Sequence, residues 1–223
     1  VDFFNMYALS IQLSVTLDHV LTCFLSMSYD LHGTWDQGNK WTGPYLNAHT
    51  NLTEIKDALD LLWRNQINPD MVTLGTAFYG RGFTARNSGC LKPGCVYSSG
   101  AKRQKCSNEI SVLLNSEIVD IMSSKGRKPT LDKEAAVKIL TFDDDQWVAY
   151  DDEDTLQMKA DFARSQCLGG LMVWAVSHDT SDGRYSRALG TASGRKYVSA
   201  LASRVEDPVG VLIVQQAFVA HTD

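Results

Sequence analysis

The chain has 223 residues, 44% hydrophobic and 21% charged, with a net charge of −5 and a pI near 5.5. Such a composition excludes disordered, collagen-like and coiled-coil chains, and a globular chain of this size buries roughly 70% of its unfolded surface, enough for one large domain or two small ones. With 21 basic against 26 acidic residues and no basic run beyond the Lys102, Arg103, Lys105 cluster, nucleic acid is not an expected partner.

In chain order, residues 1–5 (VDFFN) show no basic n-region and no initiating Met, which reads as a fragment with its signal peptide upstream. Residues 7–26 are apolar over a membrane-spanning length, but Gln12, Asp18 and His19 near the middle would each cost kilocalories in lipid, so no membrane span is expected. Leu52, Ile55, Ala58, Leu59, Leu62 and Trp63 fall at helical spacing, and Asn51 with Glu54 forms a capping box, predicting a helix over 52–65. Asn68-Pro69 stops it, and the apolar, β-branched run 71–79 reads as one strand buried on both faces. The same order recurs in a helix over 155–166 followed, after Gly169-Gly170, by the strand 171–176. Helix followed by buried strand implies a parallel α/β arrangement.

The stretch between those strands is far longer than an ordinary connection and must form a substructure of its own. It contains a cysteine-rich loop over 86–106, a helix on Ile110, Leu113, Leu114, Ile118, Ile121 and Met122 closed by Gly126, and a hairpin of 137–142 with 146–150 turned by Asp143-Asp144-Asp145. The apolar tail 209–220 reads as a last packing helix or a disordered end.

The cysteines at 23, 90, 95, 106 and 167 fit no zinc spacing and suggest disulfides, with Cys90, Cys95, Cys106 and Cys167 the candidates and three connectivities open. Asn51-Leu52-Thr53 is a glycosylation sequon, in keeping with an extracellular protein. His32, His49, His178 and His221 lie at no metal spacing, and Asp143–Asp145 with Asp151-Asp152 read as solvated turns rather than calcium loops.

Three apolar runs end in the same kind of residue. MSYDLHGTWD places a phenol, a carboxylate and an indole beside Gly33, FYGRGF supplies Tyr79 and Arg81, and the last strand ends in Trp174. Polar groups at the C-terminal ends of strands are where α/β barrels keep their sites. Aromatic faces for the apolar side of a pyranose, with carboxylate and guanidinium for its hydroxyls, suit a saccharide. Taken singly, each has a blander reading: a core Trp, a satisfied Tyr-Asp corner, an Arg in a salt bridge.

MSYDLHGTWD, LGTAFYGRGF and GGLMVWAVSHDT resemble the sixth, seventh and eighth barrel-strand motifs of family 18 glycoside hydrolases, the chitinases. The cysteine-rich loop with YDDEDTLQMKADFARSQCLGG resembles their insertion domain, in wording similar to the fungal killer-toxin-like subgroup. The resemblance, from Met27 to about Lys196, implies an α/β fold: the last three units of a (β/α)8 TIM barrel carrying an α+β insertion domain. The expected division is 1–85 partial barrel, 86–166 insertion domain and returning helix, 167–204 last strand and helix, and 205–223 tail. It implies a secreted, extracellular, endo-acting chitinase, monomeric at full length, without cofactor, metal or membrane partner. Its substrate would be β-1,4-linked N-acetylglucosamine, hydrolysed with retention as the sugar's own acetamido oxygen attacks the anomeric carbon. By matching motifs, Tyr29 and Asp30 hold and polarise the acetamido group, Trp174 floors the distorted sugar with Met27 beside it, Tyr79 and Arg81 line the donor side, and Trp35 stacks a sugar on the leaving-group side.

Two departures stand against that pattern. The family's D-x-x-D-x-D-x-E motif, which carries the acid, occurs nowhere in the 223 residues, so this polypeptide alone is expected to be inactive and, with an open barrel, poorly folded. A chitin-binding lectin-like member or a chitin-directed toxin subunit are the competing functions. Residues 7–26 interrupt the expected strand; Met6-Tyr7-Ala8 and Cys23–Ser26 can be encoded with splice signals, so the segment reads as a translated intron, the alternative being a helical insertion.

Overall fold

The computed structural model describes residues 24–194. The expectations placed on residues 1–5, on 7–23 with Cys23, on 195–204 and on the tail 205–223 with His221 lie outside the described residues. The last three residues of the segment read as an insertion, Phe24–Ser26, are strand β1, paired in parallel with β2 (Val72–Ala77) through Phe24↔Val72 and Ser26↔Leu74.

Helix α1 (Leu52–Arg64) forms the crossover between β1 and β2 and buries Leu52, Ile55 and Leu59. Asn51 caps it by accepting from the Thr53 amide at 3.0 Å. The expected capping box does not close, because the Glu54 carboxylate is engaged by His32 Nε2 at 2.9 Å and 3.1 Å. Strand β9 (Gly170–Trp174) pairs in parallel on the other side of β2, giving a three-stranded sheet in the order β1-β2-β9. Helices α3 (Glu153–Ser165) and α4 (Arg184–Ala192) contribute Leu156, Ala160, Tyr185 and Leu189 to the core shared with α1, Leu74 and Val173. Each fully buried aliphatic side chain there contributes about 1.5–3 kcal/mol.

The run 71–79, read as one strand, is two. The chain breaks at Phe78, and β3 (Tyr79–Ala85) leaves the parallel sheet for a six-stranded antiparallel one in the order β4-β3-β8-β7-β6, with β5 also on β3. Its other members are β4 (Tyr97–Gly100), β5 (Val112–Leu114), β6 (Thr130–Asp132), β7 (Val137–Phe142) and β8 (Gln146–Tyr150). The β7–β8 hairpin forms as read, with Asp143 and Asp144 at positive φ in its turn.

The helix expected from Ile110 begins later, as α2 (Asn115–Lys125) capped by Gly126 at φ 59°. Val112–Leu114 instead pair with Tyr79–Arg81, and Glu117 starts the helix by accepting from the Leu114 amide at 2.9 Å. A long-range strand partner and a local cap together outcompete helical propensity there. Ile118 and Ile121 of α2 pack on one face of the antiparallel sheet with Leu140 and Val148.

Cys90 and Cys95 form a disulfide, whereas Cys106 and Cys167 are free and exposed, correcting the expectation that all four pair. Cys167 precedes β9, while Cys106 lines a cleft with Trp174 at the far end of that strand. Five strand residues span about 16 Å, well beyond the ~6 Å between Cα atoms that a disulfide allows. Asp151 is likewise no solvated turn: it is fully buried and paired with Lys159 Nζ at 2.5 Å.

Candidate functional site

The C-terminal ends of β1 and β9 and the start of β3 bring the sequence-selected residues to one place. Beyond β1 the chain turns at Asp30, a non-glycine residue at φ 60°. Its carboxylate accepts from Tyr79 Oη at 2.7 Å, from Arg81 Nε at 2.8 Å and from Arg81 Nη2 at 2.8 Å, a bidentate guanidinium contact joined by a phenol. Tyr79 and Arg81 point the same way because successive side chains on β3 alternate and these two are separated by Gly80. A Cβ on Gly80 would come within 2.7 Å of the Ala149 carbonyl, so this position must stay bare for β3 to lie against β8.

Around this cluster stand aromatic rings. The Trp35 ring lies 4.9 Å from Arg81 Cζ and is half exposed, a cation–π contact on the rim. Tyr29 meets Tyr79 edge-on with ring centroids 6.3 Å apart, and Tyr79 meets His178 edge-on at 5.7 Å. Tyr29, Ala77, Tyr79 and Met172 pack together with Trp174 partly buried against them. Trp174, after which the peptide bond to Ala175 is cis, lines a cleft of about 310 Å³ with Tyr79 and Arg81.

Burial pushes the Asp30 carboxyl upward, but hydrogen bonds from Arg81 and Tyr79 together with the guanidinium charge hold it well below the usual carboxylate range. Burial works against the Arg81 charge too; Asp30 more than offsets this and the guanidinium stays protonated. Burial and the neighbouring Asp30 charge push the Tyr29 phenol up to about 12, and raise that of Tyr79 as well. The site is therefore a fixed anion, a fixed cation and two phenols that remain donors, next to aromatic faces. Such a set orients a neutral, hydroxyl- and amide-bearing ligand.

Other expected residues fall elsewhere. Met27, on the same chain turn, is 64% exposed and is not among the residues lining the cleft. Asn51 sits at the α1 cap, its side-chain oxygen occupied by Thr53, while Cys90 and Cys95 close the loop between β3 and β4. Several cleft residues carried no signal as a group. Cys106, Ser107 and Glu109 come from the loop before β5, which Glu117 anchors by accepting from the amides of Cys106 and Ser107 at 2.6 Å and 2.9 Å. His178 also lines the cleft; burial lowers its pKa, and its Nδ1 has no hydrogen-bond partner among the described residues. Among those residues no group of His, Cys, Asp and Glu could hold a metal ion.

Comparisons with known proteins agree on one relationship. Residues 7–179 match the family described as glycosyl hydrolases family 18. The secreted chitinase LysM12 of Penicillium expansum is 30% identical over 174 residues, covering 72% of this chain and 12% of that protein. The killer toxin subunits alpha/beta of Kluyveromyces lactis are 30% identical over 163 residues, covering 70% and 13%. Among solved structures, human YKL-39, described as a pseudo-chitinase with retained chitooligosaccharide binding properties, superposes with a TM-score of 0.68 at 22% identity, covering 80% of this chain and 51% of that one. The chain thus spans about an eighth of these two curated relatives and half of that structure, and the likeness to the latter establishes a shared mixed α/β fold.

Proposed function

The chain belongs to glycosyl hydrolases family 18, and from that premise we propose that its cleft binds chitin oligomers, β-1,4-linked N-acetylglucosamine, as part of an extracellular, endo-acting chitinase. On this reading β1, β2 and β9 are strands six to eight of a (β/α)8 barrel, with 1–85 and 167–204 barrel and 86–166 the insertion. Supporting it are the parallel order β1-β2-β9 and the departure of β3 into a separate sheet.

The observation that carries the proposal is the Asp30–Tyr79–Arg81 cluster beside Trp35 and Trp174. In the retaining chemistry, the acetamido oxygen of one sugar attacks its own anomeric carbon, developing positive charge on the resulting ring. Asp30, kept anionic, stabilises that charge. Tyr29, a protonated phenol, orients the acetamido oxygen; Trp174 supplies the floor, Tyr79 and Arg81 the donor-side wall, and Trp35 a stacking face beyond the scissile bond. The leaving oxygen needs an acid, and the D-x-x-D-x-D-x-E motif is absent from the 223 residues. This polypeptide is therefore expected to bind without hydrolysing.

Calorimetric titration of the chain with chitohexaose is the test. Saturable binding that Trp174→Ala weakens at least about tenfold, a loss of roughly 1.4 kcal/mol, with no new reducing ends released, is the expected result. No binding at millimolar oligomer, or binding indifferent to Trp174, overturns it. The missing acid also favours a second reading, a non-catalytic chitin lectin or toxin subunit. A polypeptide that joins this chain to its upstream coding sequence would, for the enzyme, carry the motif's Glu and release reducing ends; the lectin would do neither.

A further inference from the structure

His49 lies outside the cleft and is fully buried. Its Nδ1 is 3.3 Å from the Asp30 amide and its Nε2 is 3.1 Å from the Tyr79 carbonyl oxygen. An amide nitrogen can only donate and a carbonyl can only accept, so Nδ1 carries the lone pair and Nε2 the proton. The ring is neutral, as burial also dictates by lowering its pKa. Nδ1 is 3.5 Å from Asp30 Oδ1, but with its lone pair engaged by the amide that approach is not an ion pair.

The main chain of His49 joins the grip: its carbonyl accepts from the Leu31 amide at 3.1 Å. Two successive amides, those of Asp30 and Leu31, are thus held by one residue, at the place where Asp30 adopts a left-handed backbone that non-glycine residues disfavour. The third contact, to Tyr79, fixes the start of β3, the strand that carries both partners of the Asp30 carboxylate. His49 is in turn anchored through its neighbour, since Thr50 Oγ1 accepts from the buried Lys159 Nζ at 3.0 Å, and Lys159 is paired with Asp151.

We infer that His49 is a positioning residue for saccharide recognition: by tying the main chains of Asp30 and Tyr79 into one frame, it presents the carboxylate and its two donors to the ligand already aligned. The inference rests on the chitin-oligomer reading for its ligand and on the geometry alone for its mechanism. Preorganisation of this kind controls affinity because a displacement of one ångström in a polar cluster is enough to lose it.

Three variants of the 223-residue chain test it. His49→Asn keeps an acceptor where Nδ1 stood, His49→Gln keeps a donor toward Tyr79, and His49→Leu keeps neither. Two readouts are made: chitohexaose affinity, and the titration of the Asp30 carboxyl followed by its ¹³C shift, which needs no ligand. Expected is a loss of affinity of about tenfold or more in His49→Leu and a return of Asp30 toward ordinary carboxylate titration, with His49→Asn within about threefold of wild type and Asp30 still depressed. Should His49→Leu fail to fold, the contrast between Asn and Gln decides, with the larger change expected in Gln. Equal effects of Asn and Gln, or an Asp30 titration unmoved in His49→Leu, overturn the inference. A wild-type chain that binds no oligomer sinks the saccharide reading, while the Asp30 titration still decides the positioning role.

Discussion

His32 shows how a single side chain can make stability depend on pH. Its Nδ1 is 2.8 Å from Asp36 Oδ2 and its Nε2 2.9 Å from Glu54 Oε1, so the ring joins the loop after β1 to the first turn of α1. Burial would lower its pKa, but hydrogen bonds and charge from Asp36 and Glu54 reverse this and raise it to about 9. The folded value lies above the unfolded one of about 6.5, so the contribution is fully present below pH 6.5 and disappears as pH rises through about 9. Because Glu54 is partly exposed, solvent screening trims the gain to on the order of 2 kcal/mol. Urea midpoints measured between pH 6 and pH 10 are expected to fall across that interval in wild type and to be flat there in His32→Gln. A parallel decline in both proteins would assign the effect to other groups. The buried Lys159–Asp151 pair works differently: burial lowers the Lys159 pKa against the pull of Asp151, and what offsets the burial is a further partner on each side, with Thr50 accepting from Lys159 and Thr155 Oγ1 donating to Asp151 Oδ1 at 2.8 Å, while Asp151 Oδ2 has no hydrogen-bond partner among the described residues.

Between elements, the close approach of β1 to β2 sets where Tyr29 stands. A Cβ on Gly75 would fall 2.4 Å from the Ser26 carbonyl oxygen and 3.0 Å from Tyr29 Cε1, and backbone cannot yield as a flexible side chain can. Gly75→Ala is expected to destabilise the chain by about 1–3 kcal/mol, while Gly190→Ala, in α4 with open space around it, is expected to stabilise by about 0.5–1 kcal/mol. Thermal unfolding of the two variants checks the opposite signs; destabilisation by both would remove the packing argument. Elements that depend on neighbouring residues were legible in the sequence. The β7–β8 hairpin follows from two alternating runs and an acidic turn, and α1 from its apolar period and Asn51 cap. Elements decided by distant partners were not: β5 hides inside a helical pattern because β3 claims it, and the run 71–79 hides a break at Phe78 where the chain changes sheets. The site divides in the same way. Asp30, Tyr79, Arg81 and Trp174 stand in recognisable motifs, whereas His49 acts across 19 residues to Asp30 and 30 to Tyr79, a relation that no local pattern carries.

For the whole molecule, what matters is how its two sheets end. The antiparallel sheet is covered on one face by α2, and on the other its own Phe83, Tyr97 and Trp147 pack with Leu46 and Ala48. The parallel sheet is covered by helices on one face, but β1 and β9 each pair only with β2 among the described residues. Among the described residues each therefore presents a row of amides and carbonyls along its outer edge, with Leu25 of β1 44% exposed beside it. Edges of this kind pair with any available strand. In the barrel proposed above, further strands would take both places. Without them the chain is expected to self-associate through its edges, with sedimentation velocity showing a concentration-dependent shift to dimers and larger species in the tens of micromolar. A charge on the edge discourages pairing, so Leu25→Lys is expected to reduce that shift while leaving chitohexaose affinity unchanged, since Leu25 is not among the residues lining the cleft. A monodisperse wild-type monomer at 100 µM would show that these edges are not available for pairing, and the case for three strands of an open barrel would lose its physical basis.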